Sequence, residues 1–177
     1  RLRPGAACTV GVAAGTYPEK LNLSKSLTLN GAKVGVDARS RNTTTGESIL
    51  DGTGVTGSQY DAIKIANGAS NLIIDGFEIR NYAGSGSNGD GNAISSYCMS
   101  TNTTGASNVS VKNNYIHDVA YNGILVGSEN NNSTSMIVQT DWVIQYNKIE
   151  NYTYAGIELT NVINSQVKDN VFVAPIN

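Results

Sequence analysis

The chain repeats itself, and the repeat limits what it can fold into. Asn71–Asn81 (NLIIDGFEIRN), Asn108–Asp118 (NVSVKNNYIHD), Asp141–Asn151 (DWVIQYNKIEN) and, less closely, Asn164–Ala174 (NSQVKDNVFVA) superpose without gaps. A second unit alternates with them: Asp61–Ile65 (DAIKI), Asn92–Ser96 (NAISS), Asn122–Val126 (NGILV) and Ala155–Leu159 (AGIEL). The order never varies, and the first unit begins at residues 71, 108, 141 and 164, spacings of 37, 33 and 23. Self-similarity of this kind marks a solenoid, in which one small unit stacks on the next.

Within each unit the apolar residues alternate. Leu72 and Ile74 alternate with Ile73 and Asp75, then Phe77 and Ile79 with Glu78 and Arg80; the equivalents are Val109, Val111 and Ile116, Trp142, Ile144 and Ile149, and Val167 and Phe172. Period two over four or five residues means strands buried on one face, and no stretch carries a helical apolar stripe. Each repeat therefore supplies three short strands. Because each strand type recurs in the same order, like strands stack in parallel, where a sandwich would show hairpin turns. The expected fold is all-β, a single right-handed parallel β-helix over residues 1–177, of about six coils spaced about 4.8 Å apart. Polar end caps are expected to be incomplete, since only Arg1–Cys8 precedes the first strand and Val171–Asn177 lies within a repeat. Asn114, Asn147 and Asn170 share one bend, where asparagine suits a left-handed backbone and stacked amides can bond from coil to coil as a ladder. Gly76–Phe77 takes that place in the earlier repeat, so the ladder is expected to begin at Asn114.

Composition narrows the function classes. Charged residues make up 15% of the chain, against roughly 25% in an ordinary soluble domain. Solvation falls to 22 asparagines, 17 serines and 15 threonines. A net charge of −2, with no basic run longer than the Arg39/Arg41 pair, argues against nucleic acid as the main partner. No apolar run reaches 18 residues, so no membrane span is expected. Cys8 and Cys98 form no metal spacing and, several coils apart, no mutual disulfide. Seven N-x-S/T sequons, at Asn22, Asn42, Asn102, Asn108, Asn131, Asn132 and Asn151, suit an extracellular or cell-surface protein.

Val10–Ala32 (VGVAAGTYPEKLNLSKSLTLNGA) resembles the opening coil of the pectin-lyase-like superfamily, in which a strand leads into an AGTY-x-E segment, two further strands and a glycine. The segments NNYIHDVAYNGILV and YNKIENYTYAGIELT resemble generic right-handed β-helix repeats. The resemblance covers nearly the whole chain and implies the fold. For function it implies a range that includes polysaccharide lyases, pectinesterases, glycoside hydrolases and non-catalytic surface proteins, so the site must be argued separately.

The resemblance to the lyases and hydrolases implies a substrate lying along the outer face of the A/G-I-x-I/L strands. Their outward positions are Lys64, Ser95, Leu125 and Glu158, with Ala66, Tyr97, Gly127 and Thr160 as a second row. Lys64 is a candidate base for removing the proton beside a uronate, with Ca²⁺ a candidate cofactor to hold the carboxylate. Glu158 is a candidate acid, yet on its own row it has no acidic neighbour one coil away, where a glycosidase needs a second carboxyl. Arg80, His117 and Glu150 form another outward row in which the single histidine is a candidate acid–base group and the flanking charges candidate substrate contacts, or else a surface charge ladder. Asn81, Asp118 and Asn151 follow as a polar ladder at the next bend. Asp90, in the loop Gly84–Asn92, is a candidate Ca²⁺ ligand, without the repeated acids of a committed calcium loop. The polar loop Gly127–Thr140 is placed to wall a cleft, and Tyr60, Tyr82, Tyr97, Tyr121, Tyr152 and Tyr154 are placed to stack on sugar rings. Two functions are expected from this pattern: a secreted or cell-surface protein that binds or processes polysaccharide, or a non-catalytic surface protein whose copies stack end to end.

Overall fold

The computed structural model describes residues 8–42, 45–56, 60–84, 90–99, 103–128 and 137–173. They form a parallel β-helix of about six coils with three sheets. The first sheet stacks Cys8–Gly11, Leu27–Asn30, Ser70–Asp75, Ser107–Lys112 and Gln139–Gln145, then two short strands, Val162–Ile163 and Gln166–Lys168. The second stacks Gly15–Tyr17, Ser48–Asp51, Phe77–Arg80, Tyr115–Val119, Lys148–Tyr152 and Val171–Val173. The third stacks Leu21–Leu23, Ile63–Ile65, Ile94–Cys98, Asn122–Ser128 and Ala155–Leu159. Neighbouring strands within each sheet run parallel. The chain thus visits the three sheets in turn, one coil at a time.

Stacking in register converts alternation into continuous apolar rows. Leu29, Ile74, Val111, Ile144 and Val167 line up on the first sheet, and Leu50, Ile79, Ile116, Ile149 and Phe172 on the second. Leu21, Ile63, Ile94, Ile124 and Ile157 do so on the third. The middle members are fully buried, each worth about 1.5–3 kcal/mol relative to an exposed side chain. Ser96 falls in an inward row, and Gln139 satisfies it there by accepting from its hydroxyl at 2.8 Å and donating to its carbonyl at 2.7 Å.

The corners account for the asparagine content. Among the described residues eleven non-glycine positions have positive φ, and all but Tyr146 are Asn or Asp, the residues whose short polar side chains best tolerate the left-handed region. They recur by position: Asn71, Asn108, Asp141 and Asn164 near the start of the first-sheet segment; Asn113, Tyr146 and Asp169, with Gly76, before the second strand; Asn81, Asp118 and Asn151 at its end. The amide ladder lies one residue beyond the left-handed position, which corrects the expectation that Asn114, Asn147 and Asn170 would themselves be left-handed. The preceding residue makes the turn, and this frees the asparagine side chain to point along the stack. Asn147 Oδ1 accepts from the Asn114 backbone N–H at 2.9 Å and from its amide at 3.1 Å, and Asn170 Oδ1 does the same for Asn147 at 3.0 and 2.9 Å. In the other direction Asn114 Oδ1 accepts from Phe77 N–H at 3.0 Å. Ser48, two coils below Asn114 in this row, accepts from Ala32 N–H and donates to the Val12 and Ala13 carbonyls, each at 2.8 Å.

One insertion alters the outer surface. Among residues 31–47, the described stretches 31–42 and 45–47 leave the first sheet at the second coil and lie as a strap over the corner above. Lys33 N–H donates to Gly76 O, Ala38 N–H to Tyr146 O, and Arg41 Nη2 to Phe77 O at 2.8 Å, while Lys148 Nζ donates to Arg41 O at 3.1 Å. Gly76 (φ 81°) permits this contact, since a Cβ there would lie 2.2 Å from Val34 N. The strap therefore reaches from the second coil to the fifth.

Candidate functional site

Register places Lys64, Ser95, Leu125 and Glu158 in a single outward row on the third sheet, with Asn22 one coil below Lys64. Tyr97 and Gly127 pair in the second outward row, and Thr160 lies against Gly127. These strands floor a groove of about 460 Å³ whose lining includes the whole predicted row together with Tyr97. Lys64 is exposed and makes no hydrogen bond or ion pair among the described residues. Tyr97 and Met99 are exposed, and Leu125 supplies a buried apolar patch at the centre.

Three further residues line this groove without having been singled out as chemistry: Asp61, Met99 and, beyond its place among the tyrosines, Tyr121. Asp61 begins the third-sheet unit at the corner row that continues through Asn92 and Asn122. Its Oδ1 accepts from the Asn92 backbone N–H at 2.9 Å and from the Asn92 amide at 2.8 Å, and Ser95 Oγ donates to its Oδ2 at 2.6 Å. Asn92 Oδ1 accepts from Asn122 N–H at 3.2 Å, and the Asn122 amide donates to Glu158 Oε2 at 2.9 Å. Leu125 does lie one coil below Glu158, as expected, and a second carboxylate, Asp61, lines the same groove from a different row, three strands away. Tyr121 stacks on Tyr154, with centroids 4.7 Å apart and planes 5° from parallel, so the groove is edged by a rigid aromatic pair.

The second-sheet row also forms as expected, Arg80, His117 and Glu150 in line, with Asp51 extending it one coil below Arg80, but its groups are consumed by one another. Arg80 bridges Asp51 Oδ2 and Glu78 Oε1, both at 2.9 Å. His117 presents Nε2 to Glu78 Oε1 at 3.2 Å and Nδ1 to Asp118 Oδ2 at 2.6 Å. Burial opposes charge on the ring, yet the bonds to Glu78 and Asp118 outweigh it and hold the His117 pKa above the ordinary imidazole value. Both nitrogens can donate at once only as the imidazolium, so the carboxylates on either side favour the protonated ring. Glu150 accepts from the Tyr115 hydroxyl and pairs with Lys148 at 2.9 Å; burial opposes its charge, and these two partners overcome that and depress its pKa. Beneath the strap, Glu78 and Glu47 are buried with Arg41, which reaches Glu47 at 3.3 Å. Desolvation raises the Glu47 pKa and Arg41 only partly offsets it.

At the next bend the polar ladder forms: the Asn81 amide donates to Asp51 Oδ1 at 3.1 Å, and the Asn151 amide donates to Asp118 Oδ1. Tyr82 is buried and donates to Glu19 O, so it packs rather than faces ligand. Asp90 lies against Gly84 on the edge of residues 85–89, which fall outside the described residues. Among the described residues no group of three or more His, Cys, Asp or Glu is placed to hold a metal ion. Most of the loop Gly127–Thr140, with Glu129 and Asn130–Asn132, and the sequons at Asn102, Asn131 and Asn132 also lie outside the described residues. Cys8 is exposed and Cys98 buried, and neither forms a disulfide. Among the described residues no helix is long and apolar enough to cross a membrane.

The fold and the groove define a parallel β-helix with a mixed aromatic and charged cleft along its third sheet. No family model, curated protein or solved structure matches the chain.

Proposed function

We propose that the chain is a secreted or cell-surface β-helix of the pectin-lyase-like kind that binds a polysaccharide along the third-sheet groove. The observation that carries this is the groove itself: a cation, a hydroxyl, an apolar floor and a carboxylate spaced one coil apart, edged by Tyr97 and the Tyr121–Tyr154 stack. A linear glycan offers a matching alternation of apolar ring faces and hydroxyls, and tyrosines meet both kinds of group. The second-sheet row supports this assignment by contrast, because its charges already satisfy each other.

The test is affinity electrophoresis and calorimetry of the full chain against polygalacturonate, alginate, xylan and mixed-linkage glucan. Retardation by at least one polymer is expected. Tyr121→Ala and Lys64→Ala are expected to weaken it at least tenfold with the melting temperature unchanged, since Lys64 holds nothing else. Failure of every polymer to bind, or indifference to both substitutions, would overturn the reading. A second reading rests on a different observation. Leu159, Val167 and Phe172, on inward rows of the last described coils, are 40–46% exposed. A further coil would cover them, whether from the chain's continuation or from a second copy stacked end to end; concentration-dependent mass in solution separates the two.

A further inference from the structure

Granting that the groove binds glycan, we infer that it cleaves the glycan by hydrolysis, with Glu158 as general acid and Asp61 as general base, and not by β-elimination. The pair of carboxylates in the lining carries this choice. Elimination needs a base for the proton beside a uronate and further positive charge for the enolate that forms. Lys64 is the one cation among the described lining residues, and it stands with two carboxylates, Asp61 and Glu158. Hydrolysis needs just such a pair, flanking the scissile bond on an apolar floor, and Leu125 is the outward residue between Ser95 and Glu158.

Their hydrogen bonds assign the roles. Asp61 accepts from two Asn92 donors and from Ser95 Oγ, an arrangement that orients it as an acceptor for a proton. Glu158 accepts from the Asn122 amide at Oε2 alone, which leaves Oε1 to carry a proton toward a leaving oxygen. Asn122 is fully buried and holds its orientation through the bond from its backbone N–H to Asn92, so the acid is positioned by the stack. In the step, Glu158 protonates the glycosidic oxygen as the C1–O bond breaks. A water molecule adds to C1 and gives its proton to Asp61. The products are an alcohol and a hemiacetal, and the two carboxyl groups return to their starting forms by exchanging protons with solvent.

The spacing is compatible with inversion. Asp61 leans toward Asn92 and Ser95, and Glu158 leans back to Asn122. The strand that follows Asp61 and the strand that carries Glu158 are three apart. Each side chain takes up part of that distance, which leaves one to two strand spacings, on the order of 5–10 Å, between the carboxyl groups. The wider part of that range admits a water, and inversion of the anomeric configuration is the outcome that a general-base role for Asp61 requires.

The experiment follows the same four polymers in the full chain, reading reducing ends, absorbance near 235 nm for unsaturated product, and the anomer released by NMR. Reducing ends without absorbance, and an inverted first-formed anomer, are expected. Asp61→Asn and Glu158→Gln should each lower turnover by about 10²–10⁴-fold. Glu158→Gln should recover most of its loss on aryl glycosides whose leaving groups need no proton, a response that a folding defect would not produce. Retained binding with no reducing ends, product absorbing near 235 nm, a retained anomer, or Glu158→Gln turning over like wild type would each overturn the inference while leaving glycan binding intact. Absence of binding to every polymer would instead remove the reading on which it rests.

Discussion

Replacing Asn147 by alanine tests the physical basis of the stack most directly. The Asn147 side chain is fully buried and makes four bonds: its Oδ1 accepts from Asn114 N–H and from the Asn114 amide, and its Nδ2 donates to Val111 O at 3.0 Å and to Asn170 Oδ1 at 2.9 Å. Truncation strands the buried Asn114 N–H, at about 1–3 kcal/mol, and removes one bond from each of three other groups at about 0.5–1.5 kcal/mol apiece. A central value is about 5 kcal/mol, a large part of the roughly 5–15 kcal/mol of a typical domain. Each kcal/mol moves the melting temperature of a chain this size by about 2–4 °C, so a fall of roughly 10–20 °C is expected. Asn170→Ala is the internal comparison, because Asn170 makes the same number of bonds in the same row but is half-buried, where water can replace lost partners; a smaller effect is expected there. Thermal and urea unfolding of the full-length variants measure both. If Asn147→Ala melts no lower than Asn170→Ala, the ladder is decoration and the reasoning fails.

Two further outcomes concern the second sheet. His117 has a raised pKa in the fold, so its contribution is complete below the unfolded value of about 6.5 and is lost as pH rises through the folded value. Melting should therefore decline between pH 6 and pH 9, and His117→Gln should flatten that slope; a wild-type profile that stays level over this range would contradict this pairing. Glu150 and Asp118 have depressed values, so the stability they add is lost toward acid instead. Arg41→Met leaves Glu47 and Glu78 buried without the strap's cation, at about 3–5 kcal/mol, and should open residues 31–47 to limited proteolysis. Adding Glu47→Gln should restore part of that loss, whereas an Arg41→Met protein as stable as wild type would remove the ion cluster from the account.

Much of the fold and one candidate row could be read from residue order. Lys64, Ser95, Leu125 and Glu158 could be aligned because each follows an inward isoleucine at the same offset, and in a strand the next side chain must face the other way. Asp61 could not be assigned so, because it sits at a corner, where an acidic residue reads as turn chemistry. Only the Asn92 and Ser95 donors, which come from the next coil, aim its carboxylate at the groove. The same limit applies to His117: its row was legible, but Glu78 alternates onto the same outward face, and only the packing of Arg80 and the strap closes the network around it.

Local periodicity, repeated in a constant order, was therefore enough to specify parallel strands, the inward rows and the asparagine stack, because these depend on alternation and register alone. It also explains the composition, since the three left-handed corners in each of the third, fourth and fifth coils are filled mostly by asparagine and aspartate. Which outward row stays open was settled in three dimensions. Residues 31–47 have no repeat partner, and nothing in their order shows that they cross to the fifth coil. By lying over one corner they bury the charges of the second sheet, while the third sheet keeps its groove. Long-range contacts of this kind are made by side chains far apart in the chain, so no local pattern encodes them.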